Sequence, residues 1–198
     1  PWGWANVDGG SSGLLKGNKG SVYEGGYRVP AIAWMPGTIK KGTVSTALAS
    51  TLDLYPTLIA MTGNEISNQE ELDGLNIKNT FVNNEPVRHD IYYYRQDTLI
   101  GIRHKEWKMY IKDPNPWNDD LTEKDMPVLF NIEHDPSEKY NVTSKHSDIV
   151  DRIVTLSEEH IQKVTKIPSK YDAILPEYQS AYDAVSYTHL RAHETVSD

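Results

Sequence analysis

Cysteine is absent from the chain. Disulfides, thiolate-held metals and a cysteine nucleophile are therefore excluded from these residues, although that absence says little about compartment. No apolar run approaches the roughly 20 residues that a membrane span needs. Like charges form no long block, and a hydrophobic share of 38% with 24% charged residues is enough for a packed core in one domain or two small ones. Acidic residues outnumber basic ones, 28 to 20, so the net charge is -8. That mean field repels phosphate and speaks against non-specific nucleic-acid or anionic-membrane binding, though a local group of cations can still take a small anion. An initiator methionine and a signal peptide are also missing. The abrupt start at Pro1-Trp2-Gly3-Trp4 predicts an N-terminal truncation that would have removed any targeting signal.

What is present begins with glycine. Gly9, Gly10, Gly13, Gly17, Gly20, Gly25 and Gly26 mark residues 1–28 as loop with positive φ or close backbone approach. Residues 29–35, closed by Pro36-Gly37, are a short apolar run that predicts a buried strand. A compact helix is expected over 53–63, with Asp53 as N-cap, Pro56 in the first turn and Gly63 just past the end. Leu54, Leu58 and Met61 would form its docking face against a sheet. Residues 64–90 are polar and turn-rich, a connector. Four β-prone segments follow, at 91–95, 99–103, 107–111 and 128–132, with connections too short for crossover helices between the first three, so antiparallel pairing is predicted. Helical spacing of Ile149, Ile153, Leu156 and Val164, widened by Val150, Val154 and Ile161, predicts a helix over 147–165 that Pro168 stops.

Lys19 lies between Gly17 and Gly20, where small neighbours let an ammonium approach an anionic oxygen. By composition alone such a lysine reads as a solvated surface residue, and Arg28 beside a strand as a structural ion-pair partner. The longer run changes that balance. Leu14-Leu15-Lys16-Gly17-Asn18-Lys19-Gly20-Ser21-Val22-Tyr23-Glu24-Gly25-Gly26-Tyr27-Arg28-Val29-Pro30 closely resembles the second signature region of arylsulfatase-type sulfatases, approximately L-R-G-x-K-G-[ST]-x-[YW]-E-G-G-x-R-x-P. Residues 33–37, 50–58 and 129–141 also resemble family segments, and the likeness runs from Pro1 to about Lys166.

The resemblance implies an α/β, alkaline-phosphatase-like fold, of which this chain would be the C-terminal part. Residues 1–63 would end the catalytic domain with the last strand and helix of its main sheet. Residues 64–166 would form a subdomain of about four antiparallel strands and one helix. The lysine matching Lys19 contacts the substrate's sulfate and supports the leaving oxygen, so Lys19 is the candidate catalytic and substrate-binding residue. Glu24 and Arg28 would hold the loop's shape; for Lys16 a basic family position and a solvated one stay open. The family's formylglycine arises from cysteine in C-x-P-S-R, and its calcium is held by an early Asp-Asp pair and an Asp-Asn in an S-D-N-G-P-like turn. Neither motif occurs here, and Pro1 resembles the proline ending that turn. Asp8 in Asp8-Gly9-Gly10 reads as a loop carboxylate.

The expected function is hydrolysis of sulfate esters by the parent enzyme, dependent on formylglycine and calcium, with this segment inactive alone. A phosphodiesterase or phosphonate hydrolase of the same superfamily is the alternative enzyme, and a carbohydrate-binding module the non-catalytic one. The partner would be a sulfated small molecule or glycan, and family habit places such enzymes in the periplasm, the lysosome or outside the cell. His89, His104, His134, His146 and His160 show no metal-ligand spacing. Glu133, Asp135 and Glu138 read as a solvated turn, Tyr92-Tyr93-Tyr94 as sheet packing, and Asn141-Val142-Thr143 as a chance glycosylation triplet. The tail from Ser186 departs from the family and is expected to be foreign and disordered.

Overall fold

A computed structural model of the chain describes residues 10–67, 72–115 and 121–164. The expectations for Asp8, Pro168 and the tail lie outside them. The chain falls into two units, residues 1–159 and 160–198. The first holds a four-stranded antiparallel meander in the order β1-β2-β3-β4, formed by Asp90–Arg95, Thr98–His104, Trp107–Tyr110 and Val128–Asn131. The predicted strands and their direction are therefore present. Between Tyr93↔Gly101 and Tyr94↔Leu99 the β2 strand advances one residue more than β1, which leaves Ile100 as a bulge.

Pleating divides the sheet's side chains between two covers. On one face Tyr93, Ile100, Tyr110, Val128 and Phe130 pack with Val22 and Tyr23 of the glycine-rich loop. On the other, Leu99, Ile102, Met109 and Leu129 pack with Ile153 of helix α4, Ser147–Lys163. The tyrosine triple serves both faces, Tyr93 toward the loop and Tyr92 and Tyr94 toward the helix, so it is sheet packing. Asn141 of the sequon is engaged by its side-chain oxygen, which accepts from the amides of Leu129 at 3.3 Å and Thr143 at 3.0 Å. It ties the segment after β4 back to the strand.

Three expectations fail here. Residues 29–35 form no strand among the described residues, and Ile32 and Trp34 are 97% and 84% exposed. An apolar run becomes a buried strand only when another strand offers it hydrogen bonds, and none of the described strands does. Asp53 stands at the N-cap position of its helix, but its side chain makes no capping bond there. The helix over 53–63 resolves into a 3-10 turn, Thr51–Asp53, running into α2, Leu54–Met61, with Gly63 beyond it at φ +81° as expected. Ser50 caps that turn, and Asp53 is fully buried, accepting from Ser50 N at 2.8 Å and Leu75 N at 2.8 Å. Lastly, Leu54 and Leu58 face outward; Pro56 and Thr57 are the buried residues of α2. They pack on the 72–80 connector, where Ile77 N donates to Thr57 Oγ1 at 2.9 Å. Helix α3, Lys78–Asn83, lies within the 64–90 connector and ends on Asn84 in the left-handed region.

The guanidinium of Arg88 meets Asp53 through two of its three nitrogens, Nε at 2.8 Å from Oδ2 and Nη2 on Oδ1. Burial works against the Asp53 charge, but these donors outweigh it and hold its carboxyl below the ordinary 3.8. Asp53→Asn should cost about 3 kcal/mol at neutral pH, because Arg88 would be left largely buried without its counter-charge. A carboxyl with a lowered folded-state pKa contributes stability above its unfolded value and loses it as pH falls through the folded one. Urea unfolding of both proteins should therefore show the gap narrowing as pH drops below 3.8; a gap independent of pH would refute this account.

Candidate anion-binding loop

Ser12 begins the loop by accepting Leu15 N on its carbonyl at 3.2 Å and donating its hydroxyl to Leu15 O at 2.9 Å. Gly17 follows at φ +76°. Residues 18–21 then close a turn: Ser21 N donates to Asn18 O at 3.1 Å, and Ser21 Oγ donates to the same oxygen at 2.9 Å. Gly20 occupies the third position at φ +98°, where a side chain would be strained. Lys19 is the second residue and stands exposed at the tip, with no ion pair to the described residues. The described residues therefore put the ammonium in solvent without enclosing it.

After the turn the chain dives inward. Ser21, Val22, Tyr23 and Glu24 are all buried, and Glu24 opens the single-turn helix α1, Glu24–Tyr27. Gly25 N donates to Lys16 O at 2.7 Å and Arg28 N to Glu24 O at 2.7 Å, which fold the loop on itself. A β-carbon at Gly25 would overlap the carbonyls of Lys16 and Gly17, and one at Gly26 those of Asn18 and Ser21. The paired glycines are thus required by close backbone approach rather than by φ. Lys16 lies over the Tyr23 ring at 4.3 Å. Arg28 is half exposed, 4.0 Å from Glu24.

Glu24 holds the loop, as expected, but through partners the sequence did not reveal. Its Oε1 accepts from Lys108 Nζ at 2.8 Å and its Oε2 from Arg103 at 3.0 Å. Lys108 and Arg103 face each other across β2 and β3. Two like charges so placed would repel, and the one carboxylate between them removes the conflict. Lys108 is itself 0% exposed, also donates to Val22 O at 2.9 Å, and has the Tyr93 ring 4.3 Å away.

Glu138 corrects the solvated-turn reading: it is 1% exposed, at φ +50°. Its Oε2 accepts Glu24 N at 2.8 Å, its Oε1 lies 3.6 Å from Lys108 Nζ, and it bonds Tyr110 OH. Of its neighbours in that turn, Asp135 accepts the amides of Lys139 and Tyr140 at 2.8 Å, and Glu133 is exposed. Burial pushes the Glu138 carboxyl up although Lys108 pulls it down, whereas at Glu24 the pull of Lys108 and Arg103 wins against burial and lowers it. The one signal in the sequence was Lys108 amid the apolar run Trp107-Lys108-Met109-Tyr110. Outside this cluster, His104 pairs with Asp90 at 2.6 Å, His134 contacts Asn131 at 3.0 Å, and the His146 ring lies tilted against Trp107 with centroids 4.6 Å apart. No group of three or more potential metal ligands occurs among the described residues.

Gly26→Ala should destabilise the loop by about 2 kcal/mol, since backbone rather than a flexible side chain must give way. Thermal melting of the variant checks this; an unchanged midpoint would mean that the loop has room its geometry denies.

A family model described as the C-terminal region of aryl-sulfatase matches residues 86–186, and one described as sulfatase matches residues 6–64. Bovine arylsulfatase A is 31% identical over 185 residues, covering 84% of this chain and 35% of its own length. Mouse N-acetylgalactosamine-6-sulfatase is 28% identical over 177 residues, covering 77% and 34%. The chain thus spans about a third of the length of these curated relatives. Among solved structures, a Bacteroides thetaiotaomicron protein of glycosaminoglycan metabolism superposes with a TM-score of 0.63 at 28% identity, covering 76% of this chain and 32% of that one. The protein Ps i-CgsB, crystallised in complex with k-i-k-neocarrahexaose, superposes with 0.60 at 31% identity, covering 73% and 31%.

Proposed function

Because the chain belongs to the sulfatase family, we propose that it carries the Lys19 arm of an active site that hydrolyses sulfate esters. The observation that carries this reading is the turn at 18–21. It holds the Lys19 ammonium exposed, unpaired among the described residues, and fixed to a backbone that is itself buried within a few residues. An ester cleavage builds negative charge on the departing oxygen and on the sulfate oxygens. A cation already in place there stabilises the transition state more than the ground state.

The family's formylglycine has no precursor cysteine in this sequence, and its calcium does not fit the described residues, which hold no cluster of potential ligands. The contribution of these residues is accordingly to bind the sulfate group, orient it and supply positive charge. Residues 1–63 would complete the catalytic domain and 64–166 form the subdomain that backs it. The apolar side chains left exposed at Ile32, Trp34, Leu54 and Leu58 support a further body packing on them in the parent enzyme. Relatives named for a hexosamine sulfate, and a similar structure in complex with a neocarrahexaose, favour a carbohydrate sulfate as substrate.

In the complete enzyme, Lys19→Ala should lower kcat on an aryl sulfate by about a hundredfold or more, with Lys19→Arg recovering part of it. Aryl phosphate diesters, assayed in parallel, should be turned over more slowly. Full activity in the alanine variant would end the assignment of Lys19, and a preference for the phosphate diester would favour a phosphodiesterase.

A further inference from the structure

We propose that Lys108 and Glu138 are positioning residues for Lys19, acting from the sheet through the backbone of residues 22–25. What Lys19 does rests on the sulfatase reading; how it is held does not. The two bonds that Ser21 donates to Asn18 O fix the shape of the turn at 18–21 but not its direction. Direction is set where the chain leaves the turn, and there four groups of Val22 and Glu24 are held by residues 108, 114 and 138. Val22 N donates to Pro114 O at 2.9 Å. Val22 O accepts from Lys108 Nζ at 2.9 Å. Glu24 N donates to Glu138 Oε2 at 2.8 Å, and the Glu24 side chain accepts from Lys108 at 2.8 Å. A single ammonium and a single carboxylate thus grip both the backbone and the side chain of the segment that follows Lys19.

Stability alone gives no reason for this arrangement. Buried ion clusters are often matched or bettered by apolar residues of equal volume, because each charge must be stripped of water. Apolar packing, however, tolerates several arrangements of a loop, whereas directed donors and acceptors accept few. The orientation of the cluster is itself over-determined. The Lys108 amine is flanked by the rings of Tyr93 at 4.3 Å and Tyr110 at 5.2 Å, and Tyr110 OH bonds both Glu138 and Val22 O. Rigid aromatic walls keep the amine pointed at the loop. The groups that would orient Lys19 therefore come from strand β3 and from the turn after β4, 89 and 119 residues further along the chain (108 − 19 and 138 − 19).

The test is amide hydrogen exchange on the full chain, followed by kinetics in the complete sulfatase. Glu138→Ala should speed exchange at Val22, Glu24 and Gly25 on the order of tenfold or more, while the β2–β3 ladder keeps its protection. Glu138→Gln retains an acceptor for Glu24 N and should restore most of that protection; Lys108→Met is the companion variant, should it fold. Lys19→Ala and Glu138→Ala should each lower kcat more than they raise KM. The double variant should fall no further than Lys19→Ala alone, because both changes remove one contribution. Unchanged exchange in the loop, equal loss across the ladder, or additive kinetic losses would overturn the proposal. An unsubstituted enzyme without sulfate-ester turnover would strike the sulfatase reading instead and leave the exchange rates to decide this one.

Discussion

Glu24 sits 1% exposed between two cations that stand opposite each other on neighbouring strands. Without it, Lys108 and Arg103 would face each other on the loop side of the sheet with no carboxylate between them. Without them, a carboxylate would be buried at a cost of several kcal/mol. Each group is tolerable only because the others are present, so loop and sheet cannot be packed independently. The opposite shifts of the two acids follow from the same geometry: Glu24 has two cations in hydrogen-bond reach, and Glu138 has one beyond it.

The consequence for the fold is that the glycine-rich loop is part of the core. Val22 and Tyr23 cover one face of the sheet as helix α4 covers the other. Tyr23 meets Tyr110 edge to face at 5.6 Å. Tyr27 reaches to Tyr94 O at 3.0 Å, and Ser137 to Leu14 O at 2.6 Å, so the loop is tied at both ends as well as in the middle. Between these ties the turn at 18–21 stands out from the buried segment, with Lys19 exposed on it. Rigidity under the turn and openness at its tip are what a preplaced charge requires.

Much of this was legible in advance, for physical reasons that differ by residue. The β-prone segments from Ile91 onward announced themselves because aromatic and branched residues at short spacing leave few alternatives to antiparallel pairing. Gly63 past α2 followed from local backbone sterics, and the loop at 13–28 from its density of glycine. Residues 29–35 misled because burial of a strand is a property of its partner, and no described strand pairs with it. Asp53 misled because capping competes with any stronger donor nearby, and Arg88, 35 residues away, is that donor. Glu138 was invisible: among Glu133, Asp135 and Lys139 it looks like any polar turn residue, and only the depth of the turn buries it.

The sequence by itself determined the strands and their antiparallel direction, the loop, its required glycines and the place of Lys19 among them, since all of these are set by neighbours along the chain. It also carried the family likeness, because that lies in an ordered string of residues. Only the tertiary structure decided which charges share a site. The pairing of Glu24 with Lys108 and Glu138 spans 84 and 114 residues, and long-range electrostatic partners are chosen by where the fold brings them, not by any local preference.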